Sequence, residues 1–289
     1  MRRLWWIGAA LSLALSAWLG PYALSIYHLE VGGRALDAAL TPVHSDWLAP
    51  EQVVDAEKLE VGAAHLHQAV RWDERNVQAM RLLVRVYLTQ GQPEAALEMI
   101  ERALAVRPEN PLLYLELGDV YDSLGQTEAA IEAYETGGIG SRRAPLAANY
   151  LKLAEARAQA GSGDAAIQLW HKTVKLYPDN LYALYRLAQV HREMKDHERA
   201  AEYEEQLRSW DPEEIENPLD LRLAEYRGRA MAGLVDNGIW EREKTLSVLS
   251  YQVEQFGEGM EGLMTKRVIQ TLLHLWPKDP DLLSYQAEM

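Results

Sequence analysis

Two hydrophobic patterns divide the chain. From Leu4 to Tyr27 (LWWIGAALSLALSAWLGPYALSIY) no residue carries a charge. As a helix this run reaches about 36 Å against a hydrocarbon core of about 30 Å, so it predicts a single transmembrane helix. Arg2 and Arg3 precede it, and His28, Glu30 and Gly32-Gly33 come after it. The positive-inside rule then keeps the N-terminus in the cytoplasm and sends the rest of the chain across. Trp5, Trp6, Trp18, Tyr22 and Tyr27 include residues suited to the interfacial belts. A rival reading is a cleaved signal peptide: Ala23-Leu24-Ser25 offers a small-x-small site just after Gly20-Pro21. Against it, the run exceeds a signal core of about 7–15 residues and carries bulky Trp18 near its end. Both readings export the remainder of the protein. Gly8, Ser12, Ser16 and Gly20 recur every fourth residue and line one face of the span, as closely packed bilayer helices do. Small residues are also common in any span.

After residue 56 the apolar positions recur in blocks. In 77–110 the recurring set is Leu83, Tyr87, Gly91, Ala96, Ala103 and Pro108. Block 111–144 repeats it with Leu117, Gly118, Tyr121, Gly125, Ala130 and Tyr134. Block 147–180 has Tyr150, Ala154, Gly161, Ala166, Trp170 and Pro178, and block 181–214 has Leu184, Leu187, Ala188, Ala200 and Pro212. Each block predicts two helices. Gly118, Ala154 and Ala188 on the first face Ala130, Ala166 and Ala200 on the second, because a large side chain there would push the axes beyond about 8–10 Å. Gly91, Gly125 and Gly161 close first helices in the left-handed conformation. Pro108, Pro178 and Pro212 stop second helices. Small and aromatic residues at these offsets, with a period of about 34 residues, resemble the tetratricopeptide repeat family. The resemblance covers roughly half the chain and implies an all-α, helical-hairpin solenoid behind the N-terminal single transmembrane helix.

These patterns set the domain boundaries. Residues 1–28 are a cytoplasmic stub and anchor, and 29–56 a linker or irregular cap. Residues 57–214 form the solenoid, with a partial copy 57–76 whose first-helix partner is missing, then 77–110, 111–144, 147–180 and 181–214. Residues 215–289 hold degenerate repeat-like helices and a cap. Two departures stand out. Gly137-Gly138-Ile139-Gly140 replaces a proper helix end and predicts a loosened connection. Lys195 stands where the fourth copy needs its helix-ending glycine, so that turn is expected to differ.

Composition narrows the function. Lys and Arg number 29 against 43 Asp and Glu, and a net charge of −14 argues against nucleic acid. The absence of cysteine removes disulfides, thiolate metal sites and thiol nucleophiles. No phosphate-loop, nucleophile-elbow or HExxH pattern occurs. His65 and His67, two apart on a helix, face different sides. The expectation is therefore no enzyme, catalytic residue, cofactor, metal or small-molecule substrate.

What remains is surface. The resemblance implies that first-helix residues line a concave groove. It would hold a basic patch (Arg81, Arg85), an apolar floor (Leu112, Leu115, Leu151), an aromatic pair (Tyr182, Tyr185) and polar Asp119, Glu155 and Gln189. Such a mixture suits an extended peptide or a helix laid in the groove. The alternative is that these residues are solvated or covered by the chain's own C-terminal helices. The functional expectation is a membrane-anchored scaffold for protein partners, a structural or assembly subunit of a membrane or envelope complex. Two other classes stay open: a chaperone-like factor for secreted or membrane proteins, including the cytochrome c maturation type, and an accessory to glycan or peptidoglycan enzymes that stacks sugars on exposed Trp and Tyr.

Overall fold

The computed structural model describes the backbone of residues 2–41, 53–211, 221–256 and 259–288, and the side chains of 19–40, 55–211, 223–251 and 265–287. The chain forms two compact units, Met1–Gly138 and Ile139–Met289.

The N-terminal unit begins with a helix that does not stop where the apolar run ends. α1 spans Arg2–Ala39 and packs along α2 (Ala56–Trp72). Residues 29–39, expected in a linker, thus supply the first helix that the partial copy lacked by its sequence pattern. The two helices meet at glycines. A Cβ on Gly32 would stand 2.8 Å from Leu66 Cγ, and one on Gly62 would stand 3.1 Å from the Leu36 nitrogen. Leu36, Ala39, Leu59, Leu66 and Ala69 close the core around that crossing. The connection is pinned at its base by β1 (Leu40–Thr41) and β2 (Val53–Val54), antiparallel with Leu40 opposite Val54, and by the Asp55 N–H donating to the Ala39 carbonyl at 3.0 Å. Among the described residues no helix is long and apolar enough to cross a membrane. The side chains of Leu4–Trp18, including Gly8, Ser12 and Ser16 of the expected packing face, lie outside the described ones. Gly20 is described and has open space where a Cβ would point.

Two regular hairpins come next: α3 (Val77–Thr89) with α4 (Pro93–Val106), and α5 (Pro111–Ser123) with α6 (Thr127–Thr136). Asn76 and Asn110 cap α3 and α5 by accepting from the Ala79 and Leu112 amides. Side chains of this kind satisfy amides that a helix start leaves without partners. Gly91 (φ 68°) and Gly125 (φ 72°) close the first helices as expected. α6 ends early, and Gly138, Ile139 and Gly140 all take positive φ where one unit gives way to the next.

In the C-terminal unit a 3₁₀ turn at Gly140–Arg142 leads into α7 (Arg143–Gln159), which starts ahead of the expected copy and pairs with α8 (Gly163–Leu176). α9 (Leu181–Glu193) pairs with α10 (His197–Ser209). Their turn does not differ from the others. Lys195 adopts φ 62°, and the Lys195 and Asp196 amides donate to Arg192 and His191 just as Gly91 and Gln92 donate to Leu88 and Tyr87. α11 (Leu221–Asp236), α12 (Arg242–Phe256), α13 (Gly259–Leu275) and α14 (Pro280–Glu288) complete the unit. α11 packs on α9 and α7, and α13 packs on α11, where a Cβ on Gly228 would meet Thr271 Cβ at 2.8 Å. Trp210 and Trp240 seal the seam. Their indole N–H groups donate to the Asp179 and Leu207 carbonyls at 2.9 and 2.7 Å. Arg242 clamps Asp279 through both carboxylate oxygens and so ties α12 to the start of α14.

Candidate binding grooves

Each unit has its own set of expected groove residues, and the two sets meet different fates. In the N-terminal unit the basic patch is engaged internally. Arg81 on α3 grips Glu116 on α5 through Nε (2.9 Å) and Nη2 (2.6 Å), and Arg85 lies 3.8 Å from Asp37 on α1. A guanidinium fork matched to a carboxylate holds one geometry, so the pairing braces neighbouring hairpins. Leu112 stays 41% exposed, whereas Leu115 is buried beneath Gly137, whose Cβ would stand 2.7 Å from it. Asp119 is not a groove residue. It is 3% exposed and accepts a hydrogen bond from the Tyr134 hydroxyl at 2.9 Å. The vacancy left by Gly118 admits the Tyr134 ring, whose Cδ1 would lie 2.4 Å from a Cβ there. The atoms nearest that vacancy belong to Tyr134 rather than to Ala130, the residue expected to face Gly118.

In the C-terminal unit the groove is filled by the chain itself. Leu151 and Tyr182 are buried, and α11 is the cover. Tyr226 packs against Tyr182 with ring centroids 5.1 Å apart, and the Arg229 guanidinium sits 5.2 Å over the Tyr182 ring. Glu155, with its side chain 12% exposed, lies 3.5 Å from Arg186 and 3.7 Å from Arg229. Tyr185 lies on Gly233, where a Cβ would come within 2.5 Å of its hydroxyl, and accepts from Asn237 Nδ2 at 3.2 Å. Gln189 is half-buried beside it. Burial, reinforced by the Glu155 charge, raises the Tyr182 phenol well above its ordinary range, and burial pushes Tyr226 up to about 12. Sequence reasoning missed Tyr226, Arg229, Gly233 and Asn237. Its one available signal was Gly233 inside a helix, which marks a close approach without naming the partner. The same cover closes Tyr182 to sugar stacking and leaves Tyr185 half-buried.

The histidine spacing plays out as expected: His65 faces His28 (Nδ1–Nδ1 2.9 Å) and His67 faces the Tyr87 hydroxyl (3.2 Å). Among the described residues no group of three potential metal ligands occurs.

Comparison with known proteins places this architecture. A family model described as tetratricopeptide repeat matches residues 81–137 and 151–214, and a second of the same description matches 53–105. The interval between the first two matches contains the boundary between the units. No curated protein matches the chain. Solved structures similar to it include PilF of Pseudomonas aeruginosa (14% identity, TM-score 0.41, 93% of this chain and 100% of that one). Others are MamA from residue 41 to its end from Desulfovibrio magneticus RS-1 (16%, 0.44, 66% and 97%) and YrrB, described as a protein of these repeats with an unusual peptide-binding site (21%, 0.39, 55% and 81%). Together the two models match just over half of the chain, which belongs to the tetratricopeptide repeat family.

Proposed function

We propose that the chain is a membrane-anchored tetratricopeptide scaffold, a structural or assembly subunit of a membrane or envelope protein complex. Its N-terminus lies in the cytoplasm, and its repeats lie beyond the cell membrane. The observation that carries this reading is the continuity of α1. Ahead of and around the point where it first docks on α2, the helix exposes Leu19 (43%), Tyr22 (59%), Ile26 (45%) and Tyr27 (57%). A cluster of large apolar side chains facing water is a mark of a binding or membrane surface. Ser25 supports an uncleaved anchor. It ends the small-x-small triplet, yet it is buried, donates to the Ala69 carbonyl at 2.8 Å and accepts from Asn76 Nδ2 at 2.9 Å. Cleavage after it would remove a residue on which the α1–α2–α3 junction depends.

In this reading the Gly8, Ser12, Ser16 and Gly20 stripe packs on another span, and the N-terminal unit receives the protein partner around Leu112. The chain performs no catalysis and holds no cofactor. Extraction in mild detergent followed by size-exclusion and mass spectrometry tests it. The expected result is one stable co-purifying protein in fixed ratio. Free monomer alone overturns the reading, and a varied set of unfolded clients would favour a chaperone.

A further inference from the structure

Among the described side chains, Trp72 is the one tryptophan that lies exposed, at 44%. It is the last residue of α2, and its height relative to α1 is fixed at both ends of the hairpin. The Asp55 amide meets the Ala39 carbonyl at one end. At the other, Ser25 Oγ donates to the Ala69 carbonyl and accepts from Asn76 Nδ2. α2 therefore runs antiparallel to α1 with Ala69 level with Ser25. Three further residues carry Trp72 about 4.5 Å lower, level with Tyr22 on α1. About 20 residues counted from Leu4 fill a hydrocarbon core of about 30 Å and end near Ala23. The indole thus stands at the depth where tryptophan is enriched in membrane proteins.

We propose that the α2–α3 turn is a foot resting on the same bilayer that holds α1, with Trp72 seated between lipid headgroups and acyl chains. This rests on the reading of α1 as a membrane anchor. The turn is stiff enough to serve: Asp73 Oδ1 accepts from the Arg75 amide at 3.0 Å, and the Asn76 amide donates to the Asp73 carbonyl at 3.0 Å. Arg71 and Arg75 are balanced by Asp73 and Glu74 on the same turn, so the indole sets the attachment and a zwitterionic bilayer suffices. Two points of contact, the span and the foot, stop the N-terminal unit from swivelling about α1 and hold its concave side at one angle to the membrane.

The absence of native cysteine makes the test direct. Full-length chains bearing one fluorophore on Leu11→Cys, Glu57→Cys or Glu74→Cys are reconstituted into phosphatidylcholine vesicles, and quenching by spin-labelled lipid is read at each site. The expected result is strong quenching at 11, weak quenching at 57 at the far end of α2, and several-fold stronger quenching at 74 than at 57. Adding Trp72→Ser should cut the signal at 74 and leave that at 11 unchanged. No quenching at 11 means that the anchor reading has failed. Quenching at 11 with 74 no different from 57 overturns the foot alone, and a signal at 74 indifferent to Trp72→Ser overturns the role of the indole.

Discussion

Gly118→Ala isolates the packing rule on which the hairpins depend. The added methyl would lie 2.4 Å from Cδ1 and Cε1 of Tyr134. Ordinary contact needs about 3.5 Å, so the ring or the α5–α6 crossing must give by about 1 Å. The ring is fully buried, and its hydroxyl is committed to buried Asp119. Overpacking of this kind costs about 1–3 kcal/mol, and pulling a donor from a buried carboxylate adds about 1–3 kcal/mol. Removing a glycine from a helix interior returns about 1 kcal/mol. The net is a destabilisation of about 3 kcal/mol. Urea unfolding followed by circular dichroism reads it, with hydrogen exchange of the α5 and α6 amides placing the loss in the N-terminal unit. Gly163→Ala is the control, because that helical glycine has nothing within 4 Å and should be neutral or slightly stabilised. With Tyr134→Ala already present, Gly118→Ala should cost far less, since the ring it strikes is gone. Additive losses, or equal effects at 118 and 163, would refute the argument.

The C-terminal unit yields three further expected outcomes. Lys195→Gly relieves a left-handed backbone at φ 62° and should stabilise by about 1 kcal/mol in the same unfolding assay; a loss would show that the lysine side chain matters more than its backbone. Gly233→Leu should drive Tyr185 off α11, raising hydrogen exchange along α11 and opening Tyr182 to nitration while α9 and α10 stay helical; unchanged protection would mean that α11 is not seated through that glycine. Tyr182 and Tyr226 hold their protons above the unfolded value of about 10, so above that pH the unfolded chain binds fewer protons than the folded one. Their contribution is intact below about pH 10 and drains away as pH rises toward 12. Tyr182→Phe with Tyr226→Phe should move the alkaline loss of helicity upward, and ionisation of every tyrosine near pH 10 with helicity intact would contradict it.

The repeats were legible because their defining constraints are local. Gly118, Ala130, Ala154 and Ala166 are all buried on paired helices a short turn apart, so a fixed offset reveals them. The same rule fails for the first hairpin. Its small residues, Gly32 and Gly62, are separated by the residues joining α1 to α2, and closing so long a connection costs only logarithmically more entropy than a short one. Geometry survives the insertion while periodicity does not. The unbroken apolar run also hid where the span gives way to a repeat helix. Asp119 shows a second limit: the offset placed it in the groove, but the Tyr134 hydroxyl reaching through the space above Gly118 turned it inward. The aromatic pair Tyr182/Tyr185 shows a third. Two such rings on a concave face demand an apolar cover, yet nothing in their own positions says whether the cover is foreign or built in. α11 answers with Tyr226 and Gly233, each shaped to one ring. At matching positions of the N-terminal unit stand Arg81, already balanced by Glu116, Leu115, buried, and Leu112, still exposed. A partner docking there, as proposed, would meet apolar surface without having to displace an internal helix first, which is the physical reason for placing it on that unit.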